Sequence, residues 1–117
     1  MRRAFLVLGS GALLALAAWA SSEKEATGEV VDLAGYLMLG SRGEACRDQA
    51  QASLSKGGTA ALLTEDGKIL LLLADPQKSE RLDFSAHAGR SVSVRGTAYS
   101  KGGVTGLVAS SVEPVKP

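Results

Sequence analysis

The sequence predicts a small, mainly β protein in which five strands form a barrel, and three observations support this fold class. Five apolar or alternating segments of strand-like length are separated by turn residues. An Asp-Gly pair joins the second and third segments, which is a strong hairpin signal. Closing the sheet into a barrel also removes its exposed edges. Strands with so few charges need this, because an exposed edge can pair with another chain. The predicted strands span residues 27–38, 59–64, 68–74, 90–100 and 104–112.

The order of the elements narrows the architecture further. One helix is predicted between strands 1 and 2, and a short helix or loop is predicted between strands 3 and 4. This order fits a small five-stranded Greek-key barrel of the OB type. The alternative is an open antiparallel sheet with one helix packed on it.

The first twenty residues predict an export signal. Arg2 and Arg3 precede an apolar run that ends at Ala18-Trp19-Ala20, a small-x-small cleavage pattern. An uncleaved anchor helix is the alternative, but the run is shorter than the roughly 20 apolar residues of a membrane span. The arginine pair also leaves open the twin-arginine export route. The chain therefore divides into a signal peptide (1–20), a disordered lead (21–26), the barrel domain (27–113) and a tail (114–117).

The first strand is predicted from the alternation of its apolar residues, and the helix that follows it is predicted from its composition. Val31, Leu33 and Leu37 share one parity, with Gly35 between them as the site of a bend or bulge. The segment Glu44–Lys56 contains no proline or glycine and ends at a glycine pair, which indicates a helix. One face of this helix is predicted to pack against the sheet and carries Cys46, Ala50, Ser53 and Leu54.

The remaining strands follow from apolar runs and alternation. Ile69–Leu73 is continuously apolar, so the third strand is predicted to be buried on both faces. Lys78–Gly89 is predicted to be a connection. In the fourth strand Val92, Val94 and Ala98 face one way, and Arg95, Thr97 and Tyr99 face the other.

Charge and aromatic content argue against nucleic acid as a partner. Removal of residues 1–20 takes away Arg2 and Arg3, which leaves 97 residues with 11 basic and 12 acidic side chains. Nucleic-acid binding depends on neutralising phosphates, and a net charge of −1 supplies little of that. Only Tyr36, Phe84 and Tyr99 remain as aromatic residues for stacking on bases.

A series of short motifs resembles one group of proteins. In chain order they are Gly28-Glu29-Val30-Val31-Asp32, Tyr36, a helix, Lys56-Gly57-Gly58, Leu62-Leu63, Asp66-Gly67-Lys68 and Gly89-Arg90-Ser91-Val92-Ser93-Val94-Arg95-Gly96. Together they resemble a group of small exported bacterial proteins of largely uncharacterised function. The resemblance covers roughly residues 28–112. It implies an OB-like fold.

The resemblance also implies a site that this chain has lost. Many members of the group carry a cysteine before the tyrosine and His-x-x-Cys-x-x-x-Cys on the helix, which suits a metal or redox cofactor. Here those positions hold Gly35, Cys46, Gln49 and Ser53. A thiolate, an amide and a hydroxyl do not supply the four ligands that zinc takes. We therefore predict no metal and no cofactor, and a buried Cys46 that packs as a small hydrophobic residue.

Two further sets of side chains are candidates for chemistry or binding. His87, the only histidine, could act as a base for Cys46 or join Cys46, Gln49 and Ser53 as a metal ligand, but nothing in the sequence places it near them. Arg95, Tyr99 and Lys101 form a basic and aromatic cluster on the fourth strand. Because OB barrels bind ligands on a strand face and its loops, this cluster is a possible ligand face. An ordinary solvated strand face is the other interpretation.

Two functions remain open at this stage. The first is a periplasmic or secreted, non-enzymatic binding or interaction module, with an unknown protein or small-molecule partner and no stable membrane insertion after signal cleavage. The second is a metal- or redox-handling periplasmic protein that uses Cys46. A fold alone does not choose between them.

Overall fold

The strands of the protein close into a barrel. The computed structural model describes residues 23–78 and 82–115, so the predicted signal peptide lies outside the described residues. The strands are β1 (Lys24–Asp32), β2 (Ala60–Thr64), β3 (Ile69–Ala74), β4 (Ser91–Lys101) and β5 (Val104–Pro114). The helices are α1 (Leu33–Leu39), α2 (Arg47–Ser55) and two short 3₁₀ helices, Glu44–Cys46 and Phe84–His87.

The order of the strands confirms the predicted OB-like barrel. Around the barrel the order is β1-β2-β3-β5-β4, and β1 closes the ring by pairing with β4. All neighbours are antiparallel except β3 and β5, which run parallel from Leu71↔Gly106 to Ala74↔Ala109. Both α-helices lie between β1 and β2, and the 3₁₀ helix Phe84–His87 lies between β3 and β4.

The first strand requires a different glycine from the one predicted. Gly28 and Glu29 both pair with β2 and with β4, so β1 passes from one neighbour to the other over these two residues. A Cβ at Gly28 would lie 2.5 Å from the carbonyl oxygen of Leu63. The close backbone approach therefore requires glycine here. Gly35, which was predicted to make the bend, lies in a helix.

The prediction of a strand as far as residue 38 is wrong. β1 ends at Asp32, whose carboxylate accepts a hydrogen bond from the backbone N–H of Gly35 and caps α1. Gly40 ends that helix in the left-handed conformation (φ 70°). The helix cap at Asp32 and the helix stop at Gly40 are stronger signals than the alternation of Val31, Leu33 and Leu37. Alternation over only seven residues does not distinguish a strand from a helix.

Both ends of the barrel domain reach further than predicted. β1 begins at Lys24, so residues 24–26 belong to a strand rather than to a disordered lead. They pair with Val94–Gly96 of β4, which satisfies their backbone groups. β5 continues to Pro114, one residue into the predicted tail.

The predicted helix Glu44–Lys56 is a 3₁₀ turn followed by α2. Its predicted buried face is confirmed in outline, since Ala50 is buried and Leu54 packs against the barrel core. Cys46, at the junction of the two helices, is half-buried rather than fully buried. Gly57 then ends the helical segment at a positive φ of 100°.

Two apolar clusters hold the fold, one inside the barrel and one outside it. The inner cluster contains Val30, Leu62, Leu72, Val92, Val94 and Leu107 among its buried members. In the outer cluster, Leu33 and Tyr36 of α1 cover Val31, Ala61 and Leu63. The strand buried on both faces is therefore β2, with four consecutive buried residues, and not β3 as predicted. Leu73 of β3 is 40% exposed.

Candidate ligand cleft

A cleft of mixed apolar and polar character lies at one end of the barrel, between the helical segment and the connection from β3 to β4. Its volume is about 400 Å³, which falls within the range of small-ligand sites. Most of the lining side chains are apolar, but polar atoms make up nearly half of the exposed surface of the cleft. The lining residues are Leu54, Gly58, Thr59, Ala60, Leu72, Leu73, Ala74, Leu82, Asp83, Phe84 and Ser85.

The cleft exists because antiparallel β2 and β3 bring the start of one strand beside the end of the other. Ala61 pairs with Leu71, so the chain entering β2 at Thr59 meets the chain leaving β3 at Leu73. Leu54, near the end of α2, forms another part of the wall. A Cβ at Gly58 would lie 2.8 Å from the backbone oxygen of Ser53, so glycine allows the tight turn from α2 into β2.

The segment 82–85 completes the wall and is fixed locally. The Asp83 carboxylate accepts a hydrogen bond from the backbone N–H of Ser85 at 3.1 Å, which caps the 3₁₀ helix Phe84–His87. Leu82 and Phe84 are partly buried against the barrel core. The carboxylate of Asp83 and the hydroxyls of Ser85 and Thr59 therefore stand beside an apolar surface, where they can orient a ligand.

A smaller cavity of about 220 Å³ adjoins the cleft and shares Ala74 and Leu82 with it. It lies where β3 separates from β5, beside Ala109 and Ser110. The two cavities extend the concave surface from α2 to β5.

The candidate metal residues predicted from the sequence do not line the cleft. Gln49 is exposed, whereas Cys46, Ser53 and His87 are half-buried. Among residues 23–78 and 82–115, no three or more histidine, cysteine, aspartate or glutamate side chains are grouped so that they could hold a metal ion.

Two positions singled out by the resemblance, Gly35 and Ser53, lie near one carboxylate, that of Asp32. Its Oδ2 accepts from the backbone N–H of Gly35 at 3.1 Å. Its Oδ1 and the hydroxyl of Ser53 lie 3.1 and 2.8 Å from the point that a Cβ of Gly58 would occupy. Oδ1 is buried and has no hydrogen-bond partner in the described part of the chain. One carboxylate and one hydroxyl are fewer ligands than zinc takes.

The predicted ligand face on β4 is exposed but separate from the cleft. Arg95, Tyr99 and Lys101 are all exposed, and Tyr99 is 62% exposed. Arg95 lies 3.7 Å from the carboxylate of Glu23, as measured from Nη1 to Oε1. None of the three lines the cleft or the cavity beside it.

One surface feature was not predicted from the sequence, because it depends on α1. Leu37, Met38 and Leu39 are 68%, 78% and 71% exposed, although all three are large and apolar. The sequence assigned them to the end of a strand or just beyond it. The signal that could have found them is the Asp32 cap followed by Gly40, which bounds a short helix.

The β2–β3 turn contains an aspartate with a perturbed pKa. The Thr64 hydroxyl donates a hydrogen bond to the Asp66 carboxylate and, together with nearby Lys68, holds the pKa of Asp66 below its usual value. Asp66 lies in an exposed hairpin turn with Gly67 at a positive φ. The shift is therefore a property of the turn and does not involve the cleft.

Comparisons with protein-family models, with curated protein sequences and with solved protein structures give no match to this chain. The fold and the cleft are therefore the basis for any functional assignment. Within residues 23–78 and 82–115, no helix combines the length and apolarity needed to cross a membrane.

Proposed function

We propose that this protein is an exported, non-enzymatic binding module that takes an apolar group into the cleft at the end of its barrel. The observation that carries the proposal is the cleft of about 400 Å³, walled by leucine and phenylalanine side chains. A concave apolar site with a few polar groups is the usual form of a ligand pocket. The bound group is a hydrocarbon or aromatic moiety with a polar end.

The polar groups at the cleft define that polar end. The Ser85 hydroxyl donates to the Asp83 carboxylate and can only accept from a ligand, whereas the Thr59 hydroxyl can donate or accept. A ligand hydroxyl or amine can pair with these groups while its apolar portion contacts Leu54, Leu73 and neighbouring residues. Ordered polar contacts fix the orientation, and the apolar contact supplies most of the free energy.

The compartment belongs to the proposal and rests on the sequence. The basic start, apolar run and small-x-small end in residues 1–20 support export to the periplasm or outside the cell. An exported domain with one cysteine cannot use an internal disulfide. Its stability must therefore come from the two apolar clusters.

The test is a titration of the processed protein with straight-chain alcohols from butanol to octanol, followed by two-dimensional amide NMR. Each added methylene should tighten binding about fourfold, which corresponds to about 0.8 kcal/mol, until the cleft is full. The amide signals that move should be those of Gly58, Thr59, Leu73 and Ser85, which line the cleft.

Leu73→Glu is the variant that tests the site. Leu73 lines the cleft but is 40% exposed, so a charge there should weaken alcohol binding at least about tenfold with little loss of fold. Val104→Glu is the matched control, because Val104 is also exposed on a strand and does not line the cleft. Scattered shifts, no dependence on chain length, or equal effects of both variants would disprove the proposed site.

A further inference from the structure

The last turn of α1 carries the most exposed of the large hydrophobic residues in the described part of the chain. Leu37, Met38 and Leu39, which we call the tip, are 68%, 78% and 71% exposed. At about 200 Å² for a fully exposed residue of this size, they present roughly 430 Å² of mainly apolar surface. A contiguous exposed apolar patch of this size is often a binding site.

The tip projects beyond the barrel and is exposed on every side. Leu37 follows Leu33 by four residues, so the two lie on the same side of the helix. Leu33 packs against the outer apolar cluster, but Leu37 is 68% exposed. The last turn of α1 therefore extends past the surface that Leu33 covers. Met38 and Leu39 point to the other sides, because successive residues of a helix are about 100° apart.

The tip is held in place by the rest of its helix. Leu33 and Tyr36 pack against the outer apolar cluster of β1, β2 and β3. Asp32 caps the start of the helix, and the backbone N–H of Gly40 donates to the carbonyl oxygen of Tyr36 at 2.9 Å. A surface that is fixed before binding loses little conformational entropy when it binds.

No charge on this segment opposes its transfer into an apolar phase. Residues 33–41 contain no charged side chain. Of the charged residues on either side, Asp32 caps the start of α1, away from the tip, and Arg42 pairs with the Glu29 carboxylate at 2.9 Å. The tip therefore enters an apolar phase without the cost of burying a charge.

The area and shape of the tip favour a lipid surface over a protein partner. A stable protein interface buries about 800 Å² from each partner, which is nearly twice what the tip presents. A groove on a protein covers one face of a helix, whereas the tip is exposed on all sides. Lipid chains are fluid and surround an inserted side chain, so a bilayer covers all three residues at once.

We propose that the tip inserts reversibly into the surface of a phospholipid bilayer and holds the exported protein against it. Three helical residues rise about 4.5 Å, and with their side chains they match the depth of about 5–10 Å to which interfacial helices are buried. Such a shallow contact is peripheral and does not span the membrane. The proposal uses the proposed export only to bring the protein to a membrane, and it does not involve the cleft.

The first measurement is co-sedimentation of the processed protein with phosphatidylcholine vesicles, at lipid concentrations up to about 5 mM. Wild-type protein is expected to sediment with the vesicles. Met38→Asp should weaken this partition at least about tenfold, because a carboxylate disfavours the bilayer. Its unfolding in urea should match that of the wild type, since Met38 is 78% exposed. Wild-type protein that stays in solution at the highest lipid concentration would overturn the proposal.

Val104→Asp is the matched control, because Val104 is an exposed apolar residue far from the tip. It is 52% exposed and pairs with Lys101, the last residue of β4. That end of β4 lies beyond the start of β1, whereas α1 follows the end of β1. The partition of this variant should stay within about twofold of the wild type. Equal losses in Val104→Asp and Met38→Asp would contradict insertion of the tip.

Two further arms separate insertion from other contacts. Leu37→Asp and Leu39→Asp lie about 200° apart around the helix and should weaken the partition to a similar extent. An effect of only one of them would indicate a one-sided contact and contradict the proposal. A rise in salt from about 50 mM to about 500 mM should change the partition less than about twofold, because apolar contacts are not screened. Release at high salt would show electrostatic adsorption instead.

The last measurement locates the tip in the bilayer. In a Cys46→Ala background, a spin label at Met38→Cys should become accessible to oxygen and protected from a water-soluble nickel chelate when vesicles are added. A label at Val104→Cys should stay accessible to the chelate. A label at position 38 that stays accessible to the chelate would overturn the proposal. So would a lipid-free dimer that Met38→Asp dissociates in ultracentrifugation, because a second copy would then cover the tip.

Discussion

Removal of the Glu29 carboxylate should loosen the long connection between β1 and β2. The structure allows the loss of stability to be divided between the two hydrogen-bond partners of Glu29. Glu29, in β1, accepts a hydrogen bond from the backbone N–H of Gly43 and another from the Arg42 guanidinium at 2.9 Å. The Glu29 side chain is only 12% exposed, whereas that of Arg42 is 57% exposed. The backbone contact is therefore the more shielded of the two from water.

The two contacts differ in expected energy. A hydrogen bond between a charged group and a partly buried N–H contributes about 1.5–3 kcal/mol, whereas an exposed ion pair contributes about 0.5 kcal/mol. Glu29→Ala should thus destabilise the domain by about 2–3 kcal/mol, and Arg42→Ala by about 0.5 kcal/mol. For a domain of this size those costs correspond to falls in Tm of about 10–20 °C and about 2–4 °C.

The assay is thermal and urea unfolding of the two single variants, the double variant and Glu29→Gln. Glu29→Gln keeps an acceptor for Gly43 and should lose only about 1 kcal/mol. Amide exchange at residues 40–46 should rise in Glu29→Ala and stay near the wild-type value in Arg42→Ala. Equal losses of stability in Glu29→Ala and Arg42→Ala would refute the reasoning, because the ion pair would then be the main contact.

Three other outcomes are expected. Gly96→Ala places a Cβ too close to a backbone oxygen of β5 and should lower the free energy of unfolding in urea by at least about 2 kcal/mol. Gly102→Ala is the control. Its Cβ meets nothing within 4 Å, but the φ of +61° should cost about 1 kcal/mol. Thr64→Val should raise the pKa of Asp66 towards its ordinary value in an NMR titration. Because folding lowers this pKa in the wild type, the ionised Asp66 stabilises the fold at pH values above its ordinary pKa. That stabilisation is lost as the pH falls through the folded pKa. The half-buried Cys46 should react with a thiol reagent more slowly in the folded protein than in denaturant, and equal rates would place it on the surface.

The barrel was predictable from the sequence because its signals are local. The Asp-Gly turn fixed the β2–β3 hairpin, and the alternation around Val92 and Val94 fixed the inner face of β4, where both residues are buried. These signals require no knowledge of distant contacts. The β3–β5 parallel pairing, by contrast, joins segments about 35 residues apart and was not predicted, because no local signal indicates it.

The excursion between β1 and β2 was harder to predict because its conformation depends on which surfaces are covered. Leu33 and Tyr36 fit a strand or a helix equally well by composition. The Asp32 cap and the outer faces of Val31, Ala61 and Leu63 favour the helix, since α1 buries those faces. The same choice leaves Leu37–Leu39 exposed, so their exposure could not be predicted before the helix was known.

The position of the cleft follows from the same helix. OB barrels commonly bind ligands on the outer face of strands 2 and 3. Here α1 covers part of that face, because Leu33 and Tyr36 pack on Ala61 and Leu63. The concave apolar surface instead lies at the barrel end, where Leu73 emerges from β3 and Phe84 closes the far wall. The connection between β1 and β2 thus covers part of the usual binding face and also supplies Leu54 to the cleft. Substitutions that unfold α1 should therefore expose the outer face of β2, whereas substitutions on β4 at Arg95 or Tyr99 should leave that face covered.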